Sequence, residues 1–591
     1  MAESNFRLGL KAYKYKLAGQ ITGRPVILAW HEGSDILAIM SHPPLTAAYI
    51  LAAATPLLVV LYLMIGRNWG GSKAGPAGYL TAIVISVLVF GADLELLLVA
   101  LGRAVLLAFF VLYIVWMALL LYHVVNEAGA IEVIGHELPS LATDKPSQAL
   151  LLGWVFGSFL QGASGFGVPA AVVAPLLVGL GFAANPAVVI ALVGHAWAVT
   201  FGSLGSSFFS LIAATGQPGT ELAGPSAALL AVACLACGFA VLWETGRWPA
   251  VRRRWTQLLG VGFVMAGVQI GLALLGLWSL AAFGAGLAGL FVMFLDLRFG
   301  IFDPQSWRNR LTNSNSTKSH LQEGNDQSPT TGDPQPLAPS PRPLDRSSLG
   351  KALFPYLIMT IVIVLGQLFF KESLSIFKLD PEFPEVTTSF GWGTAAGPGR
   401  SISILGHAGA LLLYTCILSF LWFKLKGTFG RDDSYSGREI IRKTAKGSIK
   451  STIGIFTLVA MAVTMQHAAM TQILAETLSA GTGPVFPFLS PFIGALGAFM
   501  TGSNTNSNVV FGNLQLETAT ALGLAVAMIL ASQTAGGAIG SLFAPAKVIV
   551  GCSTVEGAED SKVLKRAVGY GLAIVALIGI LTWLILAVFY S

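Results

Sequence analysis

Charged residues are scarce in this chain of 591 residues. Asp, Glu, Lys and Arg together make up 11% of it, whereas hydrophobic residues make up 54%. A soluble protein carries roughly 25% charged residues. So few charges could not cover the water-facing surface of a protein of this size. The composition therefore excludes a soluble enzyme, a coiled coil and a nucleic-acid binder, and it predicts a polytopic membrane protein.

Cysteine is also scarce, and the four cysteines do not suggest a disulfide framework. Cys234 and Cys237 form a C-x-x-C pair inside an apolar run, which favours buried packing over a redox or metal role. The sequence contains no metal-ligand spacing of His, Cys, Asp and Glu, and no G-x-x-x-x-G-K-[ST] nucleotide motif. We therefore expect no cofactor and no ATP-driven transport. The formal net charge of +6 is attributed to basic loops rather than to nucleic-acid binding.

Long hydrophobic runs dominate the rest of the chain. A spanning helix needs about 20 mostly apolar residues. Ten runs meet this requirement: 44–65, 76–92, 104–125, 222–244, 257–277, 279–297, 352–370, 403–423, 451–470 and 567–590. Two further apolar regions, 148–214 and 486–550, are interrupted by Gly, Ser, Asn and Pro, and each should hold two or more membrane segments. The fold is predicted to be all-α, with about 12 to 14 transmembrane segments.

A polar stretch divides the chain into two halves. Within residues 298–350, the stretch 313–348 contains almost no large apolar side chains, so 298–350 is predicted to form a disordered hydrophilic loop. This loop separates a first transmembrane half, 44–297, from a second, 351–591, and a basic extension, 1–43, precedes both. A plain linker is the favoured interpretation of the loop, and a regulatory role is the alternative.

Basic residues in the loops predict the orientation of the chain. Loops 245–256, 298–351 and 424–450 are rich in Lys and Arg, and two spans separate each from the next. All three should therefore lie on one side, which we expect to be the cytoplasmic side of the plasma membrane. Basic residues flank the first span on both sides, so this rule leaves the side of the N-terminus open.

The two halves correspond in the order of their segments. Span 104–125 is followed by an amphipathic piece and then an interrupted segment, 148–182; span 451–470 is followed in the same way by the interrupted segment 486–520. Apolar helices often resemble one another by chance, but chance explains matching interruptions less easily. Interrupted segments at corresponding positions indicate the binding site of a transporter built from inverted repeats.

The first interruption, FLQGASGFGVP at 159–169, contains three glycines between apolar arms. Glycine lets the backbone turn tightly and approach a ligand. Pro169 suits the first turn of a following half-helix, whose N-terminus would favour an anion. A packing kink is the alternative interpretation, because Gly-x-x-Gly is common in membrane helices. The candidate substrate-binding residues here are Gln161, Gly162, Ser164, Gly165 and Gly167.

The second interruption, MTGSNTNSN at 500–508, contains seven consecutive residues, 502 to 508, that are polar or glycine. Amides and hydroxyls left without partners in lipid would be very costly. They must therefore face protein, water or substrate. An aqueous loop would explain the polarity but not the correspondence with the first interruption. The candidate substrate-binding residues here are Ser503, Asn504, Thr505, Asn506 and Asn508.

Three motifs resemble signatures of the lactate permease family, which contains L-lactate and glycolate permeases. They are FLQGASGFGVPAAV, MTGSNTNSNVVFGNLQ and TAGGAIGSLFAPAKVIVG, in that order. The resemblance covers most of 44–590. It implies an inverted-repeat fold and secondary transport of small 2-hydroxymonocarboxylates such as lactate or glycolate, typically coupled to protons.

The chain departs from the family pattern at three informative positions. Gln161 stands where the family usually has Glu, and Asn504 where it usually has Asp. Ser541 stands where the family has Lys, and a lysine appears at Lys547 instead. An amide keeps the shape of a carboxylate but cannot take up a proton. If those carboxylates couple protons in the family, proton coupling here must use another group or be absent; the alternative is that the amides changed the substrate.

His195 and Lys547 are the candidate coupling residues, because ionisable groups at membrane depth are usually functional. A packing role for His195, and a snorkelling or substrate-holding role for Lys547, are the alternatives. The leading hypothesis is a secondary carrier for a small organic anion in the lipid bilayer, with a proton or another coupling ion. A carrier for another anion, a non-coupled facilitator, a channel and a membrane enzyme are less favoured. Oligomeric state remains open.

Overall fold

A computed structural model describes residues 45–67, 69–165, 167–302, 348–427 and 437–589. The described chain is almost entirely helical, as the composition predicts. The predicted basic extension, 1–43, lies outside the described residues, and so does nearly all of the predicted hydrophilic loop, 298–350.

The first half consists of helices separated by short connections. They are α1 (Ala47–Ile65), α2 (Gly71–Leu88), α3 (Leu94–Glu127), α4 (Ala130–Glu137), α5 (Lys145–Gln148), α6 (Gly157–Ala163), α7 (Val168–Gly179), α8 (Ala184–Gly194), α9 (Gly202–Thr215), α10 (Gly219–Leu274) and α11 (Trp278–Phe299). A π-helix, Ala149–Phe156, joins α5 to α6, so that this segment is helical from Lys145 to Ala163.

The second half repeats this pattern and adds a small stranded segment. Its helices are α12 (Ser348–Val364), α13 (Lys371–Leu374), α14 (Ala408–Leu425), α15 (Gly437–His467), α16 (Met470–Thr482), α17 (Phe486–Thr501), α18 (Asn504–Ala521), α19 (Val526–Gly540), α20 (Pro545–Ser553) and α21 (Asp560–Phe589). The strands are β1 (Lys378–Leu379), β2 (Glu382–Phe383), β3 (Val386–Thr387), β4 (Gly393–Thr394), β5 (Gly397–Pro398) and β6 (Ile402–Ser403). They pair antiparallel as β1–β6, β2–β5 and β3–β4.

Ten helices of the described ranges are long and apolar enough to span a membrane, and the bent pair α8–α9 raises the number to 11. Helix α10 folds back on itself, because its backbone leaves helical geometry at Gly246 and Arg247. Leu258, beyond this turn, packs where a Cβ on Gly238 would lie. The stretch 245–256, which the sequence predicts as a loop, is therefore mostly helical between two crossings.

Two faces of the bundle are defined by these elements. Residues 245–256 mark what we term the basic face, where Arg254 forms an ion pair with Asp144 and Lys443 forms one with Glu127. The strands β1–β6 mark the opposite, or sheet, face, where Ser389 donates a backbone hydrogen bond to Gly91.

Each half contains a helical hairpin that enters from its own face and turns back. The first runs from Lys145 through α6 and returns through α7, and its base is closed by Lys145 Nζ donating to the Gly181 carbonyl at 2.8 Å. In the second hairpin, α17 and α18 pack antiparallel, with Gly497 against Ser507. The first hairpin starts from the basic face and the second from the sheet face, so the two halves are inverted relative to each other.

A helix broken near its middle follows each hairpin. Helix α8 continues as α9 after a bend of 51°, and α19 continues as α20 after residues 541–544. The order of span, short amphipathic helix, hairpin and broken helix is thus the same in both halves. This confirms the predicted all-α fold of two inverted repeats, and it brings four interruptions to the centre of the bundle.

Candidate functional site

The four interruptions of the helices lie against one another. We keep the names first interruption for the break between α6 and α7, and second for the break between α17 and α18; the third lies between α8 and α9, and the fourth between α19 and α20. A Cβ on Gly202 would lie 2.8 Å from Gln161 Nε2, which places the third interruption against the first. A Cβ on Gly502 would lie 3.7 Å from the Ala546 Cβ, which places the second against the fourth.

The first interruption is a tight turn that depends on glycine at two positions. Gly165 and Gly167 have φ of +66° and +84°, in the left-handed region that favours glycine. A Cβ on Gly165 would overlap the Ser203 hydroxyl. Ser164 Oγ donates to the Leu160 carbonyl at 2.9 Å, so its hydroxyl serves the local helix. Gln161 is buried, and its Oε1 has no hydrogen-bond partner.

The second interruption is shorter than the sequence predicts. Only Gly502, with φ of +71°, and Ser503 lie between the helices, and Asn504 to Asn508 form the first turns of α18. Ser503 caps this helix, because its hydroxyl accepts a hydrogen bond from the Asn506 backbone N–H at 3.4 Å. The polar run is therefore a capped helix N-terminus rather than a seven-residue loop.

Asn504 joins the two halves of the protein. Its Nδ2 donates to Thr200 Oγ1 of the third interruption at 3.2 Å. It also donates to the Thr534 carbonyl and hydroxyl of α19 at 3.1 and 3.2 Å. Asn508, one turn later, donates to the Ser207 carbonyl at 2.8 Å and to the Thr534 hydroxyl at 2.9 Å. Thr534 is the common partner of both amides.

Further polar contacts extend this network within α9, α18 and α19. Ser207 and Thr505 hydroxyls lie 3.1 Å apart across the two halves. Gln533 Nε2 donates to Ser507 Oγ at 3.0 Å, and Gln515 Nε2 donates to Gln533 Oε1 at 3.0 Å. All five side chains are buried. Buried polar groups that satisfy one another hold their elements in one arrangement.

The asparagine carbonyl oxygens are, like Gln161 Oε1, free acceptors of the site. The Oδ1 atoms of Asn504, Asn506 and Asn508 are buried and have no hydrogen-bond partner. The amide orientations of Asn504 and Asn508 follow from the network, because each Nδ2 faces a backbone carbonyl that accepts only a donor. The cluster therefore offers unused acceptors beside donors that are already engaged.

The fourth interruption brings a cation to the site. Lys547 lies in the first turn of α20, and its Nζ donates to Ser541 Oγ at 2.9 Å. Its ammonium thus lies beside the serine hydroxyl of the preceding turn.

His195 begins the third interruption and is fully buried. Its Nδ1 lies 2.6 Å from the Ala191 carbonyl, and its Nε2 has no partner. The Lys547 ammonium lies within electrostatic range of this ring. The structure therefore brings the two candidate coupling residues into the same region.

Sequence reasoning missed the residues that the third interruption and α19 contribute. These are Thr200, Ser203, Ser207 and Thr534. Ser203 and Leu204 have φ of +47° and +57°, a conformation that costs side chains free energy and clusters at functional sites. The run TFGSLG at 200–205 carried a signal, since two glycines and two hydroxyl residues interrupt an otherwise apolar helix.

The electrostatics of the site favour an anion. Helices α7, α9, α18 and α20 all begin at the interruptions, so the positive ends of four helix dipoles lie there. Lys547 adds a positive charge. The side chains at the site include neutral amides, those of Gln161, Asn504 and Asn508. Carboxylates at these positions would repel a negatively charged ligand. The arrangement can bind a small anion and accept a hydrogen bond from it.

The family model for L-lactate permease matches residues 49–589. This chain belongs to the L-lactate permease family. The glycolate permease GlcA of Escherichia coli strain K12 is 26% identical over 90% of this chain and 95% of its own length. The L-lactate permease of Bacillus subtilis strain 168 is also 26% identical, over 90% of this chain and 95% of its own length.

Among solved structures, the YdaH transporter of Alcanivorax borkumensis is 14% identical, with a TM-score of 0.42 over 83% of this chain and 87% of its own length. The family membership agrees with the resemblance of the three motifs. Together with the apolar helices, it identifies this lactate permease family member as a multi-pass membrane protein.

Proposed function

We propose that this protein is a secondary transporter that carries small 2-hydroxymonocarboxylates, such as lactate or glycolate, across the plasma membrane. The names of its relatives support this substrate class. So does the pairing of an anion-binding region with free hydrogen-bond acceptors. A 2-hydroxy acid presents both complements, because its carboxylate needs donors and its hydroxyl needs an acceptor.

The observation that carries the proposal is the row of unpartnered Oδ1 atoms on α18. A carboxylate alone would leave Asn504 and Asn508 Oδ1 unsatisfied, which is costly in a buried site. A hydroxyl on the carbon next to the carboxylate would donate to one of these oxygens. In the proposed pose the carboxylate faces Lys547 and the helix N-termini, while the hydroxyl faces the asparagines.

A substrate panel tests this pose. Purified protein is reconstituted in liposomes, and uptake is compared for lactate, propionate and lactamide. Propionate lacks the hydroxyl of lactate, and lactamide lacks its negative charge. We expect lactate to be taken up, propionate to compete at least about tenfold less well, and lactamide not to compete. Equal competition by propionate would show that the asparagine oxygens do not recognise the hydroxyl.

Lys547 should matter for the charge and not for the hydroxyl. Lys547→Gln is expected to raise the half-saturation concentration for lactate and propionate by the same factor, because both carry the carboxylate. Lys547→Arg keeps the charge, so the half-saturation concentration should rise less than in Lys547→Gln. If Lys547→Gln changes only the preference between the two acids, Lys547 does not bind the carboxylate.

We further propose that transport is ion-coupled and that His195 serves the coupling, since Gln161 and Asn504 cannot take up protons. The support is the burial of His195 and its free Nε2 near Lys547. In His195→Ala, uptake driven by an imposed pH gradient is expected to fall, whereas exchange of lactate across the membrane should stay intact. Gradient-driven uptake that survives in His195→Ala would exclude this coupling route.

A carrier also differs from a channel in its kinetics. We expect uptake to saturate and to be accelerated by unlabelled lactate on the opposite side of the membrane. The basic face is proposed to be cytoplasmic. A cysteine introduced at an exposed position of that face, such as Arg252, should react with an impermeant maleimide only after the cells are permeabilised.

A further inference from the structure

Two arginines near the sheet face have no acidic partner in the described ranges. Arg103 lies on α3, and Arg400 lies between β5 and β6. Neither forms an ion pair with a carboxylate of the described ranges, and both are only partly exposed. A partly buried guanidinium without a counter-charge carries a desolvation cost that a bound anion would remove.

Arg103 is held by backbone and aromatic contacts alone. Its Nη2 donates to the carbonyls of Ala395 and Gly397 at 3.5 and 3.3 Å. Its guanidinium lies 5.2 Å from the centre of the Phe383 ring. Its Nε is buried and has no partner. These contacts fix the side chain while leaving part of its hydrogen-bonding capacity free.

Arg400 is more deeply placed and has fewer partners. Its guanidinium lies 4.2 Å from the centre of the Phe110 ring, near the middle of α3. Its Nε is buried and unpartnered, and no hydrogen bond to another described residue satisfies the group. Burial lowers the pKa of Arg400 below its ordinary value. Arginine nevertheless remains charged in proteins.

The surroundings of Arg400 lead towards the candidate site. The Phe110 ring meets Phe209 of α9 at 6.3 Å between centroids, two residues beyond Ser207 of the network. Ile402, two residues after Arg400, packs in the same hydrophobic cluster as Val509 of α18. The neighbours of Arg400 therefore reach α9 and also α18, the helix that carries the asparagines.

The acidic residues of the stranded segment do not neutralise this region. Glu372, Asp380, Glu382 and Glu385 are all exposed to solvent. His407, close to Arg400, is buried, stacks on Tyr113 at 5.2 Å between ring centroids and has an unpartnered Nε2. The carboxylates of this segment thus face solvent, while the two guanidiniums and the His407 ring are partly or fully buried.

We propose that Arg400, assisted by Arg103, forms a second anion-binding site that receives small carboxylates from the sheet face before they reach the asparagine cluster. The ligand is a monocarboxylate held by a guanidinium hydrogen bond, with an aromatic ring behind the cation. This inference rests on the proposed function for its ligand class. Its own content is the location of the site and its role in access from one face.

Arginine modification tests the site without requiring transport. Protein in lipid nanodiscs is treated with phenylglyoxal, and modification of each arginine is followed by mass spectrometry of its peptides. Lactate and acetate are expected to slow the modification of Arg400, whereas lactamide is not, and exposed Arg438 serves as an internal reference. An Arg400 that is modified equally with and without carboxylate, or not at all, overturns the site.

Transport kinetics test its role in access. Arg400→Gln is expected to raise the half-saturation concentration for lactate added at the sheet face by about tenfold, and Arg400→Lys should restore most of the loss. Lactate added at the basic face should be unaffected. Lys378→Gln, an exposed lysine of β1, is the matched control for loss of a positive charge on the same segment. An equal effect from both faces, or none, overturns the access role.

The two proposals fail separately. Protection of Arg400 by acetate in a protein that takes up no 2-hydroxy acid would remove the proposed substrate and leave the anion site. Uptake of lactate with no protection of Arg400 would remove the anion site at Arg400 and leave the proposed substrate.

Discussion

Thr534→Val tests whether the hydrogen-bond network shapes the binding site. Thr534 Oγ1 accepts from Asn508 at 2.9 Å and from Asn504 at 3.2 Å, and it lies 3.3 Å from Thr200 Oγ1. Valine has nearly the same shape as threonine but lacks the hydroxyl. The substitution therefore removes the acceptor that the two amides share without opening a cavity.

The expected loss follows from the bonds that remain. Asn504 keeps the Thr200 hydroxyl and the Thr534 carbonyl, while Asn508 keeps only the Ser207 carbonyl. A neutral hydrogen bond contributes about 0.5–1.5 kcal/mol, so two lost bonds correspond to about 1–3 kcal/mol. If Asn508 is misplaced and most of this free energy is lost from lactate binding, the half-saturation concentration for lactate rises by about 5- to 100-fold.

Lactate uptake into proteoliposomes measures the effect. Thr534→Ser keeps the hydroxyl and should behave nearly as wild type. Thr518→Val is the matched control, because the Thr518 hydroxyl is buried on α18 and bonds only the Leu514 carbonyl of its own helix. If Thr534→Val and Thr518→Val have the same half-saturation concentration as wild type, the network does not position the asparagines for substrate.

Three further changes have defined outcomes. Gly165→Leu should abolish uptake while the protein still reaches the membrane, because a side chain would overlap the facing loop; normal uptake would remove the first interruption from the site. The double variant Gln161→Glu with Asn504→Asp should increase the response of uptake to a pH gradient, because Asp at 504 must be protonated to donate to the Thr534 carbonyl; an unchanged response with an altered substrate ranking would refute this. Although burial raises the pKa of Asp144, the Arg254 guanidinium more than offsets it and lowers that pKa, so Asp144→Asn should cost about 1–2 kcal/mol of stability at pH 7. The depressed pKa means that this stability is lost as the pH falls, so the melting temperatures of wild type and variant should converge below about pH 4.

Hydrophobic runs and interruptions predicted much of this fold. The apolar lengths located the spans, and the matching positions of the two interruptions indicated the hairpins and the inverted repeat. The second interruption was wrongly extended, because Asn and Thr have low helix propensity and seven polar residues are typical of a loop. Burial by α9 and α19 overrides that propensity and lets Asn504 continue as helix from the Ser503 cap.

The partners of the candidate residues were beyond reach of the sequence. Thr534 and Thr200 stand 334 residues apart, and only packing of the two halves brings their hydroxyls together. The left-handed backbone at Ser203 and Leu204 has no periodicity that reveals it. The sequence showed Ser541 and Lys547 as a departure from the family pattern. It did not show that the Lys547 ammonium reaches the Ser541 hydroxyl.

Equilibrium binding of labelled lactate to the purified protein tests the central claim most directly, because it asks only whether the asparagine cluster holds the substrate. The double variant Asn504→Ala with Asn508→Ala is compared with Asn513→Ala, whose amide lies on the same helix but bonds Gln466 outside the cluster. The account predicts that Asn513→Ala binds as wild type and that the double variant loses at least about tenfold in affinity. A folded double variant that binds lactate with wild-type affinity would contradict it.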